Sequence, residues 1–255
     1  MKYLKISKNR ILINFQYRFN MLAQIFMYIF SFLAILYMWL SIYQNNTDIG
    51  AYTKKEMIVY IFIVNMLHYL FDFRNVTRIG ELVHSGQLST YIIRPISIES
   101  ESLFFYLGEN ALKNFLMLLI FLGSGIVYKN NNILLTLMLF IIIYFVYFYI
   151  EQTLACLGFW MLETWPLIGL VNGIYYILSG TTFPLDILPK PIYSVVKYNP
   201  FSMIGFSLTK SLQNSLSVSE NVKYIIAGLI WLVIFKMAYN FIMKKGLEKY
   251  EGMGA

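Results

Sequence analysis

The sequence predicts an all-α polytopic membrane protein with six transmembrane helices. Three observations predict it. Of 255 residues, 58% are hydrophobic and only 13% charged, about half the charge that covers a soluble domain, and the mean hydropathy is +0.61. The apolar residues gather in continuous runs, most of them near the roughly 20 residues that a bilayer-spanning helix needs. These runs lack the short alternating segments of a membrane barrel, and a helix satisfies its own backbone hydrogen bonds in lipid. Six spans leave little room for a separate soluble domain of ~100 residues. Residues 1–255 therefore read as a single transmembrane domain.

Residues 1–20 carry Lys2, Lys5, Lys8, Arg10 and Arg18 around Leu12, Phe15 and Phe19. The apolar three fall at helical spacing, the pattern of an interfacial helix lying on a membrane; a disordered basic tail is the alternative. The first span, 21–43, is uncharged. It is too long for a signal-peptide core and no small-x-small cleavage site follows, so it reads as retained. After the polar stretch QNNTDIGAYTKKE comes a short second span, 57–73, holding Asn65 and His68. Residues 74–102 are polar and irregular. The third span, 103–128, contains Glu109 and Lys113. A tight KNNN loop leads to the fourth, 133–160, interrupted by Glu151. The fifth is 165–182. Residues 183–221 are broken by Pro184, Pro189, Pro191 and Pro200, and the sixth span, 224–243, precedes the tail KKGLEKYEGMGA.

The formal net charge is +7. The basic residues flank apolar runs, so the charge points to anionic lipid headgroups rather than nucleic acid. With the N-terminus inside, cytoplasmic segments hold eleven Lys and Arg, namely five in 1–20, Arg74, Arg78, Arg94, Lys244, Lys245 and Lys249. Outer segments hold seven: Lys54, Lys55, Lys129, Lys190, Lys197, Lys210 and Lys223. The positive-inside bias and the even span count place both termini in the cytoplasm.

The sequence contains no GxxxxGK[ST] phosphate loop, and no HExxH, GxSxG or CxxC. The single cysteine, Cys156, excludes an intramolecular disulfide and a multi-thiolate zinc site. His68 and His84 show no metal-ligand spacing. No catalytic residue or metal site is therefore assigned. Ionisable groups within spans face protein or water. Glu109 and Lys113, at i and i+4, are expected to form an intramembrane polar pair, structural in role or part of a substrate path. Glu151 and Glu163 bracket the inner end of the fourth span. His68 and Asp72 share the same spacing, either as a local helix-end hydrogen bond or as a pH-sensitive pair. The run Tyr144, Phe145, Tyr147, Phe148 and Tyr149 reads as packing, with a surface for an amphipathic substrate as the alternative.

Two stretches carry more than composition. TRIGELVHSGQLSTYIIRPIS spans residues 77–97, and ILSGTTFPLDILPKPIYSVVKYNPF spans 177–201. With the basic N-terminal helix and six spans, they resemble the permease subunits of ABC-2-type ATP-binding-cassette exporters. The tail LEKYEGMGA is similar to that of small bacterial six-helix permeases with a separate ATPase. The resemblance implies that the segment 74–102 is a cytoplasmic coupling segment that docks in the ATPase through Arg78, Gly80, Glu81, Leu82, Gly86, Leu88, Arg94 and Pro95. It implies a re-entrant extracellular hairpin in 183–221, with Ser179, Gly180, Phe183, Pro184, Leu188, Pro189, Asn199 and Pro200 in and beside it. The expected partners are ABC ATPase subunits, a second permease in a homo- or heterodimer, and membrane lipids. ATP and Mg are expected on the partner ATPase, with no cofactor on this chain, and the expected location is a bacterial plasma membrane. The rival reading is a secondary transporter or channel without an ATPase, but residues 1–128 and 129–255 show no convincing repeat of the kind common in such proteins.

Overall fold

In the computed structural model, residues 2–45 and 47–253 are described; the last two residues of the LEKYEGMGA tail lie outside them. The chain is 80% helical. α1 (Lys2–Gln16) and α2 (Arg18–Ile42) meet at Tyr17, whose φ and ψ of −94° and 35° break the helix. A small antiparallel ribbon follows, β1 (Asp48–Ile49) with β2 (Tyr52–Thr53), an element the polar stretch does not announce. α3 (Lys54–Leu70) starts at a capping box in which Thr53 and Glu56 satisfy each other's exposed N–H groups.

After α3 come a 3-10 turn (Arg74–Thr77), α4 (Arg78–His84) and α5 (Leu88–Ile92). α6 (Ile98–Glu109), capped by Ser97, and α7 (Ala111–Val127) follow. α8 (Ile133–Ala155) continues into a 3-10 turn, Cys156–Phe159. α9 (Trp165–Leu178) has proline in its first turn, where the lost N–H costs nothing. α10 (Lys190–Val196) and α11 (Pro200–Ser202) lead through a π-helical turn, Met203–Ser207, into α12 (Leu208–Leu212). α13 (Val218–Met253) is the last described helix.

Among the described residues, four helical stretches are long and apolar enough to cross a bilayer: Arg18–Ile42, Lys54–His84, Ile133–Phe159 and Val218–Tyr250. The pair α6 and α7 makes a fifth if taken together, but bends by 64°. Hydropathy alone predicts a continuous run over 103–128. Two causes of the bend are visible. Asn110 Nδ2 bonds back to the Tyr106 carbonyl at 3.1 Å, the local competition that weakens a helix at Asn. α1 then holds α6 from the side: Ser7 Oγ donates to the Phe104 carbonyl at 2.6 Å and Asn14 Nδ2 to that of Glu109 at 3.0 Å. α9, at 14 residues, is about 21 Å long, shorter than the run 165–182 suggests.

α3 and α8 form the centre, and α2 and α13 lie at the periphery with long exposed apolar faces. The main core joins Leu67, Phe71 and Phe73 to Leu139, Ile143 and Tyr147, and to Tyr175 and Ile204. A second core, around Trp39, Tyr60, Val64, Leu185 and Phe206, closes the end near the ribbon. Between helices in lipid such close contact acts mainly through van der Waals packing.

Candidate functional site

Among the described residues, the buried charges Asp72, Glu101, Lys113 and Glu151 lie around the segment after α3. The helix ends at Leu70, and Asp72 sits just beyond it, 6% exposed. Its Oδ2 lies 2.8 Å from Lys113 Nζ, in the first turn of α7, and 2.7 Å from Arg74 Nη2. A buried charge is costly unless it is paired or hydrogen-bonded, and here one carboxylate serves two cations. Three residues on, Asn75 donates its backbone N–H to Glu151 Oε1 at 2.8 Å. Glu151 is fully buried within α8. Three residues further, Arg78 reaches Glu101 Oε2 at 2.5 Å and Ser102 Oγ at 2.9 Å in α6, with its guanidinium 4.0 Å above the Phe105 ring. Asp72, Asn75 and Arg78 thus fasten one segment to α7, α8 and α6 in turn.

The outer side of the same segment is open. α4 rests on the Cys156–Phe159 turn at Gly158, where a Cβ would collide with the Gly80 Cα, and a Cβ on Gly80 would stand 2.6 Å from Thr164 Cγ2 just before α9, so only glycine permits this approach. Leu82 and Leu88 point into the core. Glu81, which accepts from Thr77 Oγ1 at 2.7 Å, is exposed, as are His84, Gly86, Arg94 and Pro95. Gly86 has φ of +71° and nothing within 4 Å of a Cβ position. Its requirement is conformational, since L-residues rarely adopt that angle. Ile93 is 81% exposed at the tip, and Arg94 stacks 4.6 Å over the Tyr91 ring. Tyr250 near the end of α13 meets Ser89, Oη to Oγ, at 2.7 Å. Of the eight residues singled out, Gly80, Leu82 and Leu88 are therefore buried, and Arg78 is turned inward to α6. Glu81, Gly86, Arg94 and Pro95 form the open surface, joined by Ile93, which the motif does not mark.

Glu109 and Lys113 have different partners. The bend at Asn110 separates them, and Glu109 pairs with Arg10 of α1 while Lys113 pairs with Asp72. His68 Nε2 lies 3.0 Å from the Tyr176 hydroxyl and its ring stacks on Tyr175, leaving Asp72 to the cations. Tyr147 is buried against Phe71 and Phe73, and Tyr149 Oη donates to Glu99 at 2.5 Å. Glu163 is exposed.

At the opposite end, α9 stops at Ser179 and Gly180. The Ser179 carbonyl accepts from Phe206 N–H and that of Gly180 from Tyr60 Oη, both at 2.8 Å. Phe183 and Leu188 pack on the second core. Pro184 and Pro189 precede the 3-10 turn Leu185–Ile187 and α10 respectively. Asn199 caps α11, accepting from Phe201 and Ser202 N–H, and its Nδ2 donates to the Leu178 carbonyl at 3.2 Å. Pro200 occupies the first position of α11. Trp231 Nε1 donates to the Tyr198 carbonyl at 2.8 Å, about 20 Å along α13 from Val218 at 1.5 Å per residue. Tyr52 Oη and Lys210 Nζ both reach Asp186, each at 2.9 Å. Burial and the Asp186 carboxylate push the Tyr52 phenol above its ordinary range, so it remains a donor.

A family model described as ABC-2 family transporter protein matches residues 25–254. No curated protein matches the chain.

Proposed function

The chain belongs to the ABC-2 family of transporter proteins, and from that premise we propose that it is the permease subunit of an ATP-driven exporter, working as a dimer with a separate ATPase. That it is a multi-pass membrane permease of ABC-type transport follows from the family itself. The observation that carries the coupling is the segment 72–97. Its outer surface offers Glu81, Gly86, Ile93 and Arg94 to a partner, while Asp72, Asn75 and Arg78 hold its inner side to three helices. Movement of a docked ATPase would reach α6, α7 and α8 together. ATP and Mg would bind on that ATPase.

The orientation has two supports. Basic residues favour the side of α1, α4 and the tail. α1 also contacts α6, and Tyr250 meets Ser89 in α5, so both ends of the described chain share a face with the segment 74–97. An even number of crossings follows, and six is the reading that includes the short α9. Residues 183–221 would then dip from the outer face as a re-entrant hairpin, with the Tyr198 carbonyl deep against Trp231. Irregular backbone at that depth is tolerated where protein surrounds it.

The test is purification of the tagged chain from its native host. An ABC ATPase should co-purify, and reconstituted complex should hydrolyse ATP while the chain alone does not. Transport by the chain alone in ATP-free vesicles would overturn the proposal.

A further inference from the structure

A cavity of about 480 Å³ lies between α1, the start of α2 and the bent pair α6 and α7. Its polar wall contains three cations, Arg10, Arg74 and Lys113, against one carboxylate, Glu109. Glu109 is engaged by Arg10. Asp72, set behind the wall, serves both Arg74 and Lys113 through the same oxygen. At ion-pair distance three cations therefore meet two carboxylates, and the buried Glu151 behind them is turned to Asn75 instead. Lys113 is 5% exposed, and an ammonium has three donors to place, of which Asp72 Oδ2 can take one. The Arg74 side chain remains 37% accessible. The other wall is apolar, with Phe15, Met21, Leu112 and Phe115. Phe115 continues into the exposed apolar face of α7 at Leu118, Leu119 and Leu122, the surface that lipid chains would cover.

We infer that this cavity binds the phosphodiester headgroup of an anionic membrane lipid, with the acyl chains running along α7. A headgroup anion would give Arg74 and Lys113, which share one Asp72 oxygen, a second partner, whereas a zwitterionic headgroup brings a cation of its own. The apolar wall leading from the charges to the lipid-facing helix favours a lipid over free phosphate. The bound lipid would tack α1 to the bend at Asn110. The inference rests on the chain being a membrane permease and is independent of any ATPase.

The experiment measures thermal stabilisation and retained lipid for the purified full chain in detergent, titrated separately with phosphatidylglycerol, phosphatidylcholine and glycerol phosphate. Phosphatidylglycerol should stabilise the chain and be retained, and the other two should not. Arg74→Gln should weaken phosphatidylglycerol binding about fivefold, the scale of one basic residue at a membrane surface, while Arg94→Gln, outside the cavity, should not. Ala111→Trp fills the cavity without altering a charge and should abolish selective retention. Equal effects of phosphatidylcholine would reduce the cavity to ordinary lipid contact, and equal effects of glycerol phosphate would make it a free-phosphate site. Undiminished phosphatidylglycerol binding in either Arg74→Gln or Ala111→Trp would also overturn the inference.

Discussion

The Asp72 carboxylate and the Lys113 ammonium lie 2.8 Å apart, joining the end of α3 to the first turn of α7. Arg74 uses the same carboxylate oxygen, so the two partners are not equivalent. Asp72→Asn leaves two adjacent cations without their anion and should cost about 3–5 kcal/mol, the range for breaking a buried pair. Lys113→Met leaves Asp72 with Arg74 and should cost less, about 1.5–3 kcal/mol. Thermal unfolding of the purified variants in detergent measures both, and the reverse order would contradict this arrangement.

Glu151 acts on Asn75 through hydrogen bonds, with no cation within ion-pair distance among the described residues. Glu151→Gln keeps an acceptor for the Asn75 N–H and should change stability by no more than about 1 kcal/mol. Glu151→Ala removes it and opens a void, and should cost about 3 kcal/mol. Equal losses for both variants would mean that the negative charge itself is required.

Topology can be read with single cysteines in a Cys156→Ser background. In intact cells, cysteines at exposed Thr47 and Asn131 should react with an impermeant thiol reagent, and one at Ser89 should be protected. Labelling at Ser89 with protection at Asn131 would invert the orientation and remove the docking surface from the cytoplasm.

The exposed tip separates docking from folding. Ile93 touches little of its own chain at 81% exposure, so Ile93→Asp should leave membrane abundance near normal and sharply reduce ATPase co-purification. Glu81→Ala should act in the same direction, more weakly. Gly86→Val strains a positive φ without a clash and should weaken coupling at modest cost in abundance. If all three variants retain normal ATPase binding and export, the segment is a passive loop.

Much of this architecture is legible along the chain because bilayer length and apolar runs are local signals. Gly86 and the Arg94-Pro95 step likewise announce a turned segment. The bend at Asn110 is hidden, because Leu103 to Tyr128 reads as one apolar run and the decisive contacts come from α1. For the same reason, the i and i+4 spacing of Glu109 and Lys113 misleads: it presumes an unbroken helix. The Asn75–Glu151 link joins residues 76 apart in sequence, and no periodicity signals such a pair. A faint cue remains in the three-residue spacing of Asp72, Asn75 and Arg78, which puts three polar groups on one side of a helical turn. The Tyr52–Asp186–Lys210 contact is similarly invisible until the chain folds back.

α13 bears Trp231, bonded to the hairpin carbonyl of Tyr198, and Tyr250, bonded to Ser89. About 28 Å of helix separates them, close to the ~30 Å thickness of a bilayer's hydrocarbon layer. No proline interrupts that stretch, so it has no ready hinge. Trp231 and Tyr250 are two fixtures on it: an axial shift carries both the same way, and a tilt about the point midway between them carries them in opposite directions. Two loops far apart in sequence, at Tyr198 and at Ser89, are thereby geared to one another through a single rigid part.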